Sequence, residues 1–211
     1  MSTSNKITFY FDPLSRSQVV FRMLEEVNAN YEIKFMNILK GDQKTSEYLK
    51  INPMGKVPAI IHQGTVITEV AAICLYLADI FPEAELAPRI GDPLRGSYYR
   101  WMFFATNCLE TAVMDHHFPR INHPPESSLG YGSFEATMHT LKDAVKDNFV
   151  LGNQFTTADL YISSYLEWFF FQKYLPEDKI LVDYMNRCMD KPRTRIYREK
   201  RKTSFKASTA R

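Results

Sequence analysis

The stretch Asn52-Pro53-Met54-Gly55-Lys56-Val57-Pro58 decides how the first part of this chain is read. Two prolines and a glycine stand immediately ahead of the apolar run Ala59-Ile60-Ile61. Pro58 has no N–H to give to a ladder, so it marks the start or the edge of a strand. An X-Pro bond at such a point is a candidate for the cis isomer. That isomer would turn the N–H and C=O of Val57 outward, where an extended peptide could pair with them as an added strand does. An ordinary turn into a strand is the alternative reading of the same residues.

Working outward, the residues before and after this stretch change period often. Ile7-Thr8-Phe9-Tyr10-Phe11 reads as a strand rich in aromatic and β-branched side chains. Ser15 to Val27 has helical spacing, Tyr31 to Ile38 alternates, and Asp42 to Lys50 is short, polar and weakly helical. Val57 to His62 and Val66 to Thr68 are strands joined at Gln63-Gly64-Thr65. Val70 to Phe81 returns to helical spacing and stops before Pro82. The order β-α-β-α-β-β-α implies a mixed sheet covered by helices over residues 1–82. Residues 83–93 carry Pro88, Pro93 and Gly91 and read as a linker. From 94 to 211 the period is helical almost throughout, which predicts an all-α domain. Its long stripe is Leu94, Tyr98, Trp101, Met102, Ala105, Leu109 and Ala112, and its most apolar helix is Asp159 to Phe171. The residues after 198 are expected to be disordered.

Composition bounds the function. The chain has 211 residues, 45% hydrophobic, 24% charged and 14% aromatic, which is ordinary globular usage. Its formal charge of +2 hides a split, because Arg187 to Arg211 holds ten Lys and Arg against Asp190 and Glu199. A solvated tail is the ordinary meaning of such a run, and nothing global points to nucleic acid. Cys74, Cys108 and Cys188 are odd in number and far apart, so reduced thiols in a cytoplasmic protein are expected. The longest apolar run, Val70 to Ala78, is far short of the ~20 residues of a membrane span. No phosphate-binding, dinucleotide-binding or metal-binding signature is present. His116 and His117 are adjacent and point apart on a helix, so no shared metal is expected; a loop metal site that includes His123 is the alternative.

Two helix starts carry candidate chemistry. At Thr68-Glu69-Val70 a strand runs into a helix, with Thr68 as a possible cap, Glu69 in the first turn, and backbone N–H groups there that suit a carboxylate. At Ser15-Arg16-Ser17-Gln18 the pattern fits an S-x-x-Q capping box, with Ser15 as N-cap. The Ser15 proton can still point at an incoming anion, and Arg16 and the helix N-terminus add positive potential. A second box, Thr156-Thr157-Ala158-Asp159, reads as a folding device.

Taken together, N-P-M-G-K-V-P-A-I, T-E-V-A-A-I-C-L-Y-L-A-D-I-F-P, G-N-Q-F-T-T-A-D-L-Y and the S-R-S start resemble the cytosolic glutathione transferase family over nearly the full length. The resemblance implies a thioredoxin-like first domain, an all-helical second domain, a homodimer, and glutathione as co-substrate without a metal. It implies that Val57 pairs with the cysteinyl part of glutathione beside cis-Pro58, that Glu69 and the Val70 N–H hold the γ-glutamyl end, and that Lys56 and Lys44 face the other carboxylate. The family usually has Ser where this chain has Val70, so binding there should be weaker. Ser15 matches the serine of serine-type classes and Tyr10 the tyrosine of tyrosine-type classes. The S-R-S context favours Ser15, with Arg16 as electrostatic helper. The implied activity is attack of the glutathione thiolate on a hydrophobic electrophile. That co-substrate would lie between the domains, near Tyr99, Phe103, Phe104 and Phe118. Glutathione-dependent isomerisation, peroxide reduction and non-catalytic binding are the alternatives on the same scaffold.

Overall fold

The computed structural model describes residues 6–122 and 124–209, with side chains placed as far as 203. It divides into two compact units: residues up to Ala84 together with those from Lys191 onward, and Glu85–Asp190.

The first unit is built on four strands. They are β1 (Ile7–Phe11), β2 (Tyr31–Phe35), β3 (Ala59–His62) and β4 (Thr65–Thr68), in the spatial order β2-β1-β3-β4. β1 pairs in parallel with β2 and antiparallel with β3, and β3 pairs antiparallel with β4, so the sheet is mixed as the element order implies. Alternation sorts the side chains of β1. Ile7, Phe9 and Phe11 are fully buried, and Phe11 packs edge-on against Phe21 of helix α1 (Ser17–Glu26), ring centroids 5.3 Å apart. Tyr10 points to the other face and meets Tyr48 of the short helix α2 (Ser46–Leu49) at 5.4 Å. Helix α3 (Val70–Ile80) packs beside α1. Its Tyr76 hydroxyl lies 2.7 Å from His62 Nδ1 on β3.

The second unit is helical. α4 (Leu94–Phe103) continues through a π-helical segment, Phe104–Leu109, into α5 (Glu110–His117). The single long helix expected from the apolar stripe is therefore wider in its middle, where the Thr106 hydroxyl donates back to the Phe103 carbonyl at 3.1 Å. Then come α6 (Phe134–Val145), α7 (Thr157–Phe171) and α8 (Lys179–Met189). α7 is the buried centre. The Thr156/Asp159 box opens it, and the fully buried Asp159 accepts from the N–H groups of Val150 (2.8 Å) and Thr156 (3.0 Å) and from Tyr184 Oη (2.9 Å).

The two units meet at Ala84 and Glu85, inside the stretch read as a linker. Within that stretch Leu86 is buried, and its carbonyl accepts from the N–H and hydroxyl of Thr157 at 2.8 and 3.1 Å. One expectation about organisation changes: the residues from 199 to 209 are not a disordered part of the helical domain. Pro192–Thr209 forms a helix, α9, grouped with the first unit. Its Thr194 and Tyr197 are buried. The Tyr197 ring sits edge-on to Phe21 at 5.5 Å, and Lys200 meets Glu25 at 2.8 Å. Two buried neutral anchors one turn apart thus dock a helix half of whose other positions are charged.

Candidate glutathione site

The register of the sheet collects the candidate residues at one end of it. Tyr10 stands opposite Ala59, and Ala59 stands opposite Thr68. The end of β1, the start of β3 and the end of β4 therefore lie at the same end of the sheet. The segments that continue from them carry Ser15, Val57 and Glu69.

Val57 leads into β3 through a cis bond to Pro58. The carbonyl of Lys56 is held twice, by Tyr48 Oη at 2.7 Å and by Asn52 Nδ2 at 2.9 Å. A trans peptide fixes its C=O and N–H on opposite sides of one plane. Pulling the Lys56 carbonyl toward Tyr48 and Asn52 thus turns the Val57 N–H the other way. Asn52 is buried, and its Oδ1 also accepts from the Met54 N–H at 3.1 Å, so it ties the whole turn together. Sequence reasoning passed over Asn52 and Tyr48. The signal was an Asn at the head of a Pro-Gly turn, a residue type that bonds its own backbone. Burial pushes the Tyr48 phenol up to about 12, with the neighbouring Tyr10 adding to the rise, so Tyr48 remains a donor.

The Lys44 ammonium lies on the Met54 carbonyl at 3.2 Å and packs against Gly55. A Cβ on Gly55 would meet Lys44 Nζ at 2.7 Å and the Gln43 carbonyl at 2.8 Å, and Gly55 has φ +57°, so the turn requires glycine. Lys44 and Lys56 are both exposed. At the β4 end, Glu69 is exposed and adopts φ 65°, ψ 121°, a conformation that costs a non-glycine residue about 1–3 kcal/mol. Glu69 itself is the N-cap of α3, not a first-turn residue, and Thr68 is the last residue of β4 rather than the cap. The Val70 N–H then opens the helix beside the exposed Glu69 carboxylate.

At the β1 end the S-x-x-Q box does not form. α1 begins at Ser17, with Arg16 as its N-cap. Gln18 sends its Nε2 to the Pro13 carbonyl (2.9 Å) and receives the Tyr197 hydroxyl on its Oε1 (3.2 Å). Ser15 Oγ instead accepts from the Ser17 N–H (3.1 Å) and lies 2.8 Å from the Asp12 carbonyl and 2.7 Å from Ser17 Oγ. Asp12 anchors the loop: its buried carboxylate accepts from the N–H groups of Leu14 (2.6 Å) and Ile38 (3.0 Å).

The four aromatic candidates all lie in the helical unit. Tyr99 Oη accepts from Arg95 Nε at 2.6 Å, Phe104 packs on Trp101 at 5.1 Å, and Phe118 packs on His117 and Tyr174. Tyr99, Phe103 and Phe118 keep 39%, 60% and 53% of their surface exposed. His116 stacks on Phe134, away from the His117 contacts, and His123 lies outside the described residues. Among the described residues no group of three His, Cys, Asp or Glu could hold a metal ion. No helix among them is long and apolar enough to cross a membrane.

A thioredoxin-like mixed sheet with a cis-proline ahead of β3, together with a helical unit, defines the class. Models of the glutathione S-transferase N-terminal and C-terminal domains match residues 8–79 and 126–192. These spans take in more than half of the chain, and it belongs to the glutathione S-transferase family. Among curated relatives it is 37% identical over 92 residues to protein LigF of Sphingobium (44% of this chain, 36% of the relative). It is 49% identical over 59 residues to glutathione S-transferase Z2 of Arabidopsis thaliana (28% of this chain, 26% of the relative). The match to GstA of Escherichia coli is longer, 25% over 192 residues, covering 87% of this chain and 92% of the relative. The chain thus spans only about a third or less of the length of the first two relatives. Among solved structures, the glutathione transferase URE2P6 of Phanerochaete chrysosporium, in complex with oxidized glutathione, superposes with TM-score 0.77 at 21% identity over 97% of this chain and all of its own. A glutathione transferase of Methylococcus capsulatus gives 0.75 at 23% identity, covering 93% of this chain and 99% of its own. These structural likenesses show the fold.

Proposed function

We propose that the protein is a glutathione transferase that binds glutathione at the end of the sheet beside Val57 and activates its thiol at Ser15. The single observation that supports the reading is the Lys56 carbonyl held by both Tyr48 and Asn52, which turns the Val57 N–H of the same trans peptide away from those two side chains. An extended cysteinyl backbone pairs there as an added strand. Glu69 and the Val70 N–H take the γ-glutamyl end, and Lys56 and Lys44 face the far carboxylate.

A thiol of ordinary pKa ~8.5 is only a few per cent thiolate at neutral pH. Lowering that pKa by ~2 units needs ~2.7 kcal/mol of preference for the anion. A hydrogen bond donated to the charged sulfur contributes roughly 1.5–3 kcal/mol, and the N-terminus of α1 about another 0.3–1. The Arg16 guanidinium adds in the same sense. The thiol proton leaves to solvent. The thiolate then attacks an electrophilic carbon, a C–S bond forms, and the leaving group departs with its electron pair. Tyr99, Phe103, Phe104 and Phe118 are the candidates for the electrophile's apolar body. Tyr10 is the alternative donor to the sulfur; its ring lies against Tyr48.

Turnover of glutathione with a dinitrophenyl halide tests the reading in Ser15→Ala and Tyr10→Phe. Ser15→Ala should fall at least about tenfold, the weight of one charge-assisted hydrogen bond, and Tyr10→Phe should fall much less. The reverse order would transfer the role to Tyr10. Assays with an organic hydroperoxide and a maleyl substrate, run alongside, tell transfer from peroxide reduction and isomerisation.

A further inference from the structure

We propose that Ser17 is a positioning residue for the thiol chemistry: it occupies both lone pairs of Ser15 Oγ and so leaves the single Ser15 proton to the sulfur of glutathione. The inference rests on the reading of Ser15 given above. Three contacts surround Ser15 Oγ: the Ser17 N–H at 3.1 Å, Ser17 Oγ at 2.7 Å and the Asp12 carbonyl at 2.8 Å. A hydroxyl has one proton and two lone pairs. The N–H must donate, so it takes one lone pair. The Asp12 carbonyl can only accept, so it takes the proton. The contact with Ser17 Oγ must then be donated by Ser17. In the opposite arrangement, with Ser15 donating to Ser17, two acceptor oxygens would face each other at 2.8 Å with no proton between them. Ser17 is fully buried, so water does not compete for its hydroxyl.

This arrangement makes the arrival of a thiolate a simple exchange. The Ser15 proton turns from the Asp12 carbonyl to the sulfur, while both bonds from Ser17 stay in place. The Asp12 carbonyl keeps the Ser15 N–H at 3.2 Å. Two donors on the Ser15 oxygen also draw charge from its O–H and make it a stronger donor, a cooperative gain of about 10–30% per bond. Ser17 touches neither the sulfur nor the electrophile. Its effect is on how well Ser15 stabilises the anion.

The test is the pKa of the bound glutathione thiol, read from thiolate absorbance against pH in the wild type, Ser15→Ala and Ser17→Ala. Ser17→Ala should raise it by about half a unit to one unit, which lowers turnover roughly three- to tenfold below the thiol pKa and spares it above. Binding of S-methylglutathione, which has no thiol proton, should change less than about twofold, because the peptide contacts are untouched. Ser17→Cys keeps the size but donates weakly. It should give a smaller rise in the same direction, and it replaces the Ala variant if that one misfolds. A pKa unmoved in the Ser17 variants but raised in Ser15→Ala overturns the role of Ser17 alone. A pKa unmoved in Ser15→Ala overturns the assignment of Ser15 and this inference with it.

Discussion

The amide of Asn52 donates to the carbonyl of Lys56 at 2.9 Å, across the turn that leads into β3. This bond, with the one from Tyr48, aims the next N–H of the chain at the place where a peptide ligand would lie. Asn52→Ala should therefore weaken glutathione binding about tenfold or more, and also cost roughly 1–3 kcal/mol of stability for the buried groups it leaves unpaired. Tyr48→Phe removes one of the two bonds and should weaken binding by a smaller factor. Calorimetric titration with glutathione measures both, and unchanged affinity in Asn52→Ala would remove the turn from the binding account.

Val70 is the place where this chain lacks a hydroxyl at the head of α3. Its N–H is available, but its side chain cannot add a second bond to a carboxylate. Val70→Ser supplies that donor at a helix N-terminus, where an anion is favoured. Glutathione affinity should rise about three- to tenfold, in line with one net hydrogen bond of roughly 0.5–1.5 kcal/mol. No gain in the same titration would mean that the γ-glutamyl end lies elsewhere.

Helix α9 is held to α1 by Tyr197, Thr194 and Lys200. Thr194 Oγ1 donates to the buried Glu26, and the Tyr31 hydroxyl and Lys200 both meet Glu25. Tyr197→Ala leaves a cavity beside Phe21 and removes the hydroxyl from Gln18, two residues from the thiol site's Arg16. It should lower stability by about 3–5 kcal/mol. Lys200→Ala breaks a pair that is half exposed on the Lys side, and should cost under about 1 kcal/mol. Urea unfolding followed by circular dichroism checks the contrast; equal losses would mean that charge rather than packing docks the helix.

The Asp159 carboxylate is buried at the head of α7, and burial raises its pKa above the ordinary 3.8 although four donated bonds pull it back. The folded state therefore holds this proton more tightly than the unfolded chain. Its contribution to stability is greatest below the unfolded pKa and falls as pH rises through the folded value. Asp159→Asn does not titrate there. The stability gap between wild type and Asp159→Asn should shrink from about pH 4 toward neutrality. A gap that is flat over this range, in unfolding curves taken at each pH, would mean that Asp159 titrates normally.

Much of this was legible in the chain itself. β1 and β3 follow from short aromatic and β-branched runs, and Pro58 marks the start of β3. Thr156 and Asp159 form their box because both partners are local. What the sequence concealed depends on distant partners. Gln18 abandons the Ser15 box because Pro13 and Tyr197 offer it better bonds, and Tyr197 lies far along the chain. α9 was hidden because its buried anchors, Thr194 and Tyr197, stand among many charges. The sequence did not reveal that Leu86, inside the stretch read as a linker, gives its carbonyl to Thr157, because that partner lies far along the chain. Spacing along a helix does not say which neighbour each ring takes, so the contacts of Phe104 with Trp101 and of Phe118 with Tyr174 were not legible in the sequence.

The central claim is that glutathione docks at Val57 with its sulfur on Ser15, and a crystal structure with bound glutathione tests it most directly. The account predicts the cysteinyl N–H and C=O paired with the Val57 backbone, and the sulfur within about 3.0–3.5 Å of Ser15 Oγ, the range of a bond to a large anion. A sulfur placed on Tyr10 Oη, or a peptide that leaves the Val57 N–H unpaired, would contradict it.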